Sequence, residues 1–321
     1  MPLFLREDDV TRLLRIDDVI TAVEGAFREH GEGRAINRPR QRTITERAAL
    51  HVMSGGVPAA GVMGLKAYSS ARTGTRFLAM LYSTETGELL AVMEANRLGQ
   101  LRTGAASAVA TRHLARLEAG SVGLIGTGWQ ARSQLLAVSR VRPIALVKCY
   151  SRTPARREAF ADEMVEELGM EVAAVESAQD AVEDVDVVIT ITNAREPVLL
   201  GEWLRPGVHI NAAGGNVARG RRELDEEAVR RSTIIAVDDL EQAKIECGDL
   251  IQAAASGVPV WDRAVDLGAI LAGRSPGRRR AEDITLFESQ GIAIEDVVTM
   301  KLVYERARAV GAGLPFPGTM E

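Results

Sequence analysis

The stretch SVGLIGTGWQARSQLLAV, Ser121 to Val138, decides the architecture. An apolar strand leads into Gly126-Thr127-Gly128-Trp129-Gln130-Ala131, and a helix-forming segment follows. Gly126 permits a tight turn, Gly128 lets backbone N–H groups approach a pyrophosphate, and Ala131 replaces the third glycine where helix meets strand. The helix N-terminus then faces an anion with its partial positive charge. The strand before and the helix after separate this dinucleotide-binding loop from a purely structural glycine turn.

Working outward, everything after Gly120 alternates strand and helix. The strands read as SVGLIG, ALVKCYS, EVAAV, DVVITIT, VHINAAG and TIIAVDD, with TPARREAFADEMVEEL a helix between two of them. Continuous apolar strands alternating with helices imply a parallel sheet covered on both faces, so the expected class is α/β with a Rossmann-type doubly wound sheet. At the end of the second strand, where an acid would bond the ribose 2′-OH of NAD, stand Ser151, Arg152 and Thr153. Their hydroxyls and guanidinium suit a 2′-phosphate, which favours NADP(H) over NAD(H); the alternative is Arg152 stacked on adenine.

The front of the chain has another texture. Ile16, Ile20, Val23 and Phe27 form one helical stripe. From Gln41 to Glu94, the short β-rich runs ALHVM, MGLKAY, RFLAMLYS and ELLAVME, with STETGE as a hairpin loop, read as an antiparallel meander. RLGQLRTGAASAVATRHLAR reads as a turn into a long helix, with Arg102 in the turn and Thr103 placed like a cap. The last long helix, from AIEDVVTMKLVYERARAVGAG, can cross back onto the first domain. The expected organisation is an α+β substrate and dimerisation domain, residues 1–118 completed by 292–321, and a dinucleotide-binding domain, 119–291.

Composition excludes several classes. The 321 residues carry a net charge of −5 and are 46% hydrophobic, which gives a sizeable core and no basic field for nucleic acid or a membrane surface. The one basic run, GRSPGRRR (Gly273 to Arg280), reads as a solvated loop. No run reaches membrane-spanning length, and acidic residues follow the N-terminus too closely for a signal peptide, so a cytoplasmic location is expected. Cys149 and Cys247 read as buried thiols, and the four histidines, His30, His51, His113 and His209, have no metal-ligand spacing, so no metal is expected.

Lys66 lies inside an apolar strand-like run with Gly61 and Gly64 nearby, spacing that suggests a close approach to the backbone. Arg38, Arg40 and Arg42 would place alternate members on one strand face. Taken singly, Lys66, Arg102 and these arginines are the kind of residue more often solvated than functional.

Together with GLK, LGQLRTGAASAVATRHLAR, GLIGTGWQA, VHINAAGGN followed by REL, and ESQGIAIED, the chain resembles the ornithine cyclodeaminase and mu-crystallin family over nearly its whole length. The resemblance implies a homodimer whose first domain holds an α-amino or α-imino acid and makes the dimer interface, with a nicotinamide cofactor on the second. By position it implies that Arg40, Lys66 and Arg102 clamp the substrate carboxylate. Thr103, Gly126, Gly128, Gln130, Thr190, Thr192 and Ser289 would line the cofactor, with Thr127, Trp129, Asn193 and the Ser151–Thr153 run beside them.

Two positions depart from the cyclodeaminases. Asn216 stands where those enzymes carry an aspartate, and an amide has no titratable proton near neutral pH. His51 stands where the ornithine enzymes carry an acid for a distal ammonium. Both favour an imino-acid reductase or amino-acid dehydrogenase, with Lys66 as the proton donor, over ornithine or lysine cyclodeamination; a non-catalytic mu-crystallin-like binder is the third reading. His51, Met53, Tyr68 and Arg72 are candidates for the side-chain pocket, with core packing or surface placement as the alternative.

Overall fold

The computed structural model describes residues 1–72, 74–215 and 220–316. The chain forms two compact units, Met1–Arg102 with Gly291–Glu321, and Thr103–Gln290.

The first unit opens with β1 (Leu3–Leu5), α1 (Glu7–Leu13) and α2 (Ile16–Gly31). The stripe of Ile16, Val19, Ile20, Val23 and Phe27 is buried, as its spacing requires. Strands β2 (Ile36–Ile44), β3 (Ala48–Val57), β4 (Val62–Ala71), β5 (Gly74–Ser83) and β6 (Leu89–Glu94) then pair as an antiparallel meander, with β1 added parallel to β6. Pro39 is tolerated because β2 is the edge strand. A register shift between Arg38 and Gln41 breaks the simple alternation expected for the three arginines: Arg40 turns inward, while Arg38 stays exposed and Arg42 half-buried.

Helix α3 (Asn96–Leu114) corrects one expectation. Arg102 and Thr103 lie within it, so neither occupies a turn or a cap. The cap comes from far away in sequence: the Glu7 carboxylate accepts hydrogen bonds from the backbone N–H of Asn96 at 3.0 Å and Arg97 at 2.5 Å. A carboxylate at a helix N-terminus satisfies orphan donors and meets the positive end of the dipole.

The second unit contains β7 (Ser121–Ile125), α4 (Trp129–Val138), β8 (Leu146–Tyr150), α5 (Pro154–Leu168), β9 (Glu171–Ala174), α6 (Ala178–Val182), β10 (Val187–Thr190), β11 (His209–Ala212), α7 (Glu226–Arg231), β12 (Ile234–Val237), α8 (Leu240–Glu246), α9 (Gly248–Ala255), β13 (Ala264–Asp266), α10 (Leu267–Leu271) and β14 (Thr285–Glu288). Among the described residues these strands form a parallel sheet in the order β13-β12-β14-β11-β10-β7-β8-β9. The direction of winding reverses between β7 and β10, so the Gly126 turn lies at the switch point where such sheets bind ligands. Two strands exceed the six expected. β14 inserts between β11 and β12, and β13 forms the far edge. The basic run also differs from a solvated loop at one position: Arg278 donates to the carbonyls of Leu114 at 2.6 Å and Val208 at 3.3 Å, while Arg279 and Arg280 stay exposed.

The chain then returns to the first unit with α11 (Ala293–Val310) and β15 (Leu314–Pro315), which pairs with β1. Helix α11 lies against α2, β3 and β4. Glycines make that approach possible. A Cβ on Gly64 would sit 2.4 Å from the Met80 carbonyl oxygen and 3.0 Å from the Met300 methyl on α11, and one on Gly55 would sit 3.2 Å from Ala293 and Ile294. Gly64→Ala is expected to lower stability by about 1–3 kcal/mol in urea unfolding, the usual penalty of overpacking; an unchanged midpoint would show that α11 does not need this contact.

Candidate active site

The first unit gathers Arg40, Lys66 and Arg102 with two acids that sequence reasoning left unassigned, Glu295 and Asp296. All five are at least nine-tenths buried. Lys66 sits on β4, a central strand, where register pairs it with Met53 on β3 and Ala79 on β5. Its Nζ meets both Asp296 oxygens, at 2.8 Å and 2.7 Å. From α3, Arg102 reaches Glu295 Oε2 at 2.8 Å and Asp296 Oδ1 at 2.9 Å. The inward turn of β2 sends the Arg40 guanidinium to the Gly291 carbonyl at 2.9 Å.

Local sequence explains how the acids arrive. Glu295 and Asp296 occupy the first turn of α11, where the helix dipole stabilises negative charge. Asn37 on β2 accepts the Ala293 N–H at 2.9 Å and anchors that turn. Gly291 has φ +73°, and a Cβ there would lie 2.4 Å from the Arg102 guanidinium, so only glycine leaves room for it. The signal in the sequence was an acidic pair following Ile292-Ala293-Ile294 at positions that the helix buries.

Electrostatics follow from burial. Lys66 is pushed down to about 8, first by loss of solvent and then by Arg102, against the opposing pull of Asp296. Glu295 is raised from the ordinary carboxylate range by burial, although Arg102 favours its charged form. As ionised groups, the five side chains carry three positive and two negative charges.

Register puts His51 opposite Tyr68 and Tyr68 opposite Phe77, on the same sheet face as Lys66. The His51 and Tyr68 rings stack at 4.3 Å, and His51 Nε2 lies 2.9 Å from the Ser70 hydroxyl. Burial, then Arg42 and Arg40, lower His51 to about 4, so it is neutral near pH 7. Met53 is buried beside Lys66, and Arg72 is exposed in the turn after β4.

In the second unit the Gly126 turn has the form its sequence demands. Gly126 has φ +106°, and a Cβ there would press within 2.5 Å of the Ile191 carbonyl. Gly128 forms the N-cap of α4, and nothing lies within 4 Å of where its Cβ would be. That open ground before a helix N-terminus fits a pyrophosphate. Trp129 is half-exposed at the start of α4 and Gln130 is partly buried after it. The Thr127 hydroxyl donates to Ser151 Oγ at 2.9 Å, tying the loop to the end of β8. Arg152 and Thr153 are exposed there.

Other expected cofactor residues scatter in character. Thr103 is buried on α3, its carbonyl accepting from Gln134 at 3.3 Å. Thr190 is wholly buried and gives its hydroxyl to Glu223, while the Thr192 hydroxyl accepts the Ala194 N–H. Asn193 is exposed, and Ser289 is buried just past β14, its N–H bonded to the Ala212 carbonyl. Asn216 lies outside the described residues. Cys149 and Cys247 are free and buried. Among the described residues no helix is long and apolar enough to cross a membrane.

Residues 1–311 match the model of the ornithine cyclodeaminase/mu-crystallin family. The chain belongs to that family. It is 38% identical to the alanine dehydrogenase of Archaeoglobus fulgidus, over 97% of each chain. The Thermococcus litoralis Δ1-pyrroline-2-carboxylate reductase, solved with NADH and L-proline, superposes with a TM-score of 0.93 at 39% identity, covering 98% of this chain and 100% of that one. An archaeal alanine dehydrogenase dimer with bound NAD gives 0.92 at 36%, covering 98% of each. Within this family member, the buried ion cluster is tested by removing its charges singly. Asp296→Asn strips Lys66 of its carboxylate partner and is expected to lose about 3 kcal/mol in urea unfolding, as breaking a buried pair does. Glu295→Gln leaves Arg102 its bond to Asp296 and should lose less; the reverse order would contradict the arrangement described.

Proposed function

We propose that this protein is an NAD(P)-dependent oxidoreductase acting on the C=N bond of α-imino acids and the CH–NH bond of α-amino acids. The observation that carries the reading is Lys66: a wholly buried ammonium held by Asp296, beside Arg102, and lowered to about 8. A group with that pKa protonates a nitrogen during reduction and takes the proton back during oxidation near neutral pH. Arg102 and Arg40 supply guanidinium forks that match a carboxylate, and gripping the carboxylate fixes the α-carbon next to it. Asp296 keeps Lys66 oriented, and burial around it excludes competing water. A nicotinamide, when bound, supplies or accepts the hydride. The residues that would hold it are Gly126, Thr127, Gly128, Trp129 and Gln130 at the α4 N-terminus, together with Thr103, Thr190, Thr192, Asn193 and Ser289. The family relatives named for alanine dehydrogenation and pyrroline-2-carboxylate reduction support the same chemistry.

NADP(H) is the favoured cofactor, because the end of β8 offers Ser151, Arg152 and Thr153 and no acid. A homodimer is supported by the sheet face opposite Lys66, where Ile36, Leu50, Met63 and Leu78 are between 39% and 53% exposed. Such a row of apolar side chains on one face favours a partner surface.

The reading is tested with NADPH or NADH and a panel of 2-oxo acids plus ammonia or methylamine, together with preformed cyclic imines. Cofactor oxidation is expected with at least one member, faster in kcat/KM with NADPH. Reductive kcat/KM should fall as pH rises through about 8, where Lys66 loses its proton, and Lys66→Met should lower kcat about 10²-fold or more. Arg152→Ala should raise KM for NADPH about tenfold and leave NADH unchanged. No turnover with any member, or a Lys66→Met enzyme of normal rate, would overturn the assignment. Light scattering should give the mass of two chains, and Leu78→Asp with Leu50→Asp should shift it toward one; a wild-type monomer refutes the dimer.

A further inference from the structure

Glu223 has no part in the chemistry above, yet it is wholly buried and takes three donors from the ends of two neighbouring central strands. The Thr192 N–H, just past β10, donates to Oε1 at 2.6 Å. The Gly214 N–H, just past β11, donates to Oε2 at 2.7 Å, and the Thr190 hydroxyl donates to the same oxygen at 3.1 Å. Gly214 is a glycine of necessity: a Cβ there would lie 2.2 Å from the Thr192 carbonyl and 2.7 Å from Glu223 Oε2. Glu223 is itself held from both sides. Its backbone carbonyl accepts the N–H groups of Val198 and Leu199, and Asp249 on α9 accepts those of Glu223 and Leu224, both at 2.7 Å.

We infer that Glu223 is a positioning residue for the cofactor: its carboxylate ties the ends of β10 and β11 into the surface that binds the dinucleotide, and protonating it loosens that surface. The inference rests on the reading of the second unit as the dinucleotide-binding unit. An ionised carboxylate is acceptor-only and suits three donors. A proton on Oε1 takes its one unused lone-pair site and one on Oε2 displaces one of its two donors; either way the charge that strengthens the Thr192 and Gly214 N–H bonds is lost. The Thr190 hydroxyl can rotate away; the two backbone N–H groups cannot.

The surroundings place this change within reach. Facing Glu223 are Asp249 from α9 and Glu288 from the end of β14, with Cys247 beside Glu288 at 3.5 Å and Arg222 next in the chain, its guanidinium bonded to Leu224 and Glu226. Burial first, and then Asp249, raise Glu223 to about 7. Asp249 is raised to about 6 by burial, and Glu288 stands well above the ordinary range by burial, Asp249 and Glu223. Raised carboxyls contribute stability that is fully present below their unfolded values and is lost as pH rises through the folded ones. The fold is therefore not weakened by this cluster as pH falls from 8 to 6, and weaker binding there is not unfolding of the unit.

The test is NADH affinity from fluorescence titration between pH 5.5 and 8.5; NADH has no 2′-phosphate to titrate. The wild type is expected to bind about tenfold more weakly at pH 6 than at pH 8, the size of one hydrogen bond to a charged group, with an inflection near 7. Glu223→Gln, which mimics the protonated form, should bind weakly and without inflection. Asp249→Asn keeps an acceptor oxygen and removes a like charge, so it should keep the pH 8 affinity and move the inflection to lower pH. A wild type whose affinity does not change with pH, a Gln variant that keeps the inflection, or an inflection unmoved in Asp249→Asn would overturn the inference. If Glu223→Gln does not fold, the wild-type profile and the Asp249→Asn shift decide alone. No NADH or NADPH binding at any pH would instead sink the dinucleotide reading on which this rests.

Discussion

A lysine on a central strand must be matched or neutralised, and the first unit is organised around matching Lys66. Moving an ammonium out of water carries a penalty of several kcal/mol that one carboxylate rarely offsets unless its geometry is good and its remaining lone pairs are used. Asp296 meets that demand from 230 residues away, both oxygens within hydrogen-bond distance of Nζ and one shared with Arg102. Each contributing element is constrained in turn. Helix α11 must start where its first turn reaches β4, so Gly55 and Gly64 are bare, and Gly291 gives way to a guanidinium. The return of the chain to its first unit is thus a requirement of the charge at Lys66 as much as of apolar packing.

The parts of this molecule legible in the sequence are those whose causes are local. The Gly126 turn was readable because tight turn, backbone approach and helix contact each demand a small residue at a fixed offset. Helices α2 and α11 were readable from the spacing of their apolar residues, and α5 as the run joining two strands. The start of α3 was not, because its cap is a carboxylate 89 residues earlier. Nor was the inward turn of Arg40, since it depends on a register shift at Pro39 that alternation alone cannot encode. β14 is only four residues long and gains its place by pairing on both sides with strands far from it in sequence. Within the candidate site, Lys66 stands out in the sequence as a charge inside an apolar run, whereas nothing local distinguishes Glu295 and Asp296 from the solvated acids that open many helices.

The two units handle buried carboxylates by opposite means, and the difference bears on function. In the first, Glu295 and Asp296 are set against guanidinium and ammonium groups at a helix N-terminus, and the arginine among them keeps its proton across the neutral range. In the second, backbone N–H groups support Glu223 and Asp249; burial raises these two and Glu288, Asp249 raises the other two further, and Glu223 raises Glu288. Adjustable charge beneath the ends of β10 and β11 makes the shape of those strand ends depend on proton concentration. Lys66 and Glu223 thus titrate in adjacent ranges, near 8 and near 7. Between those values Lys66 is still protonated while Glu223 is ionised, so the interval in which both are charged is set by burial on two separate sheets.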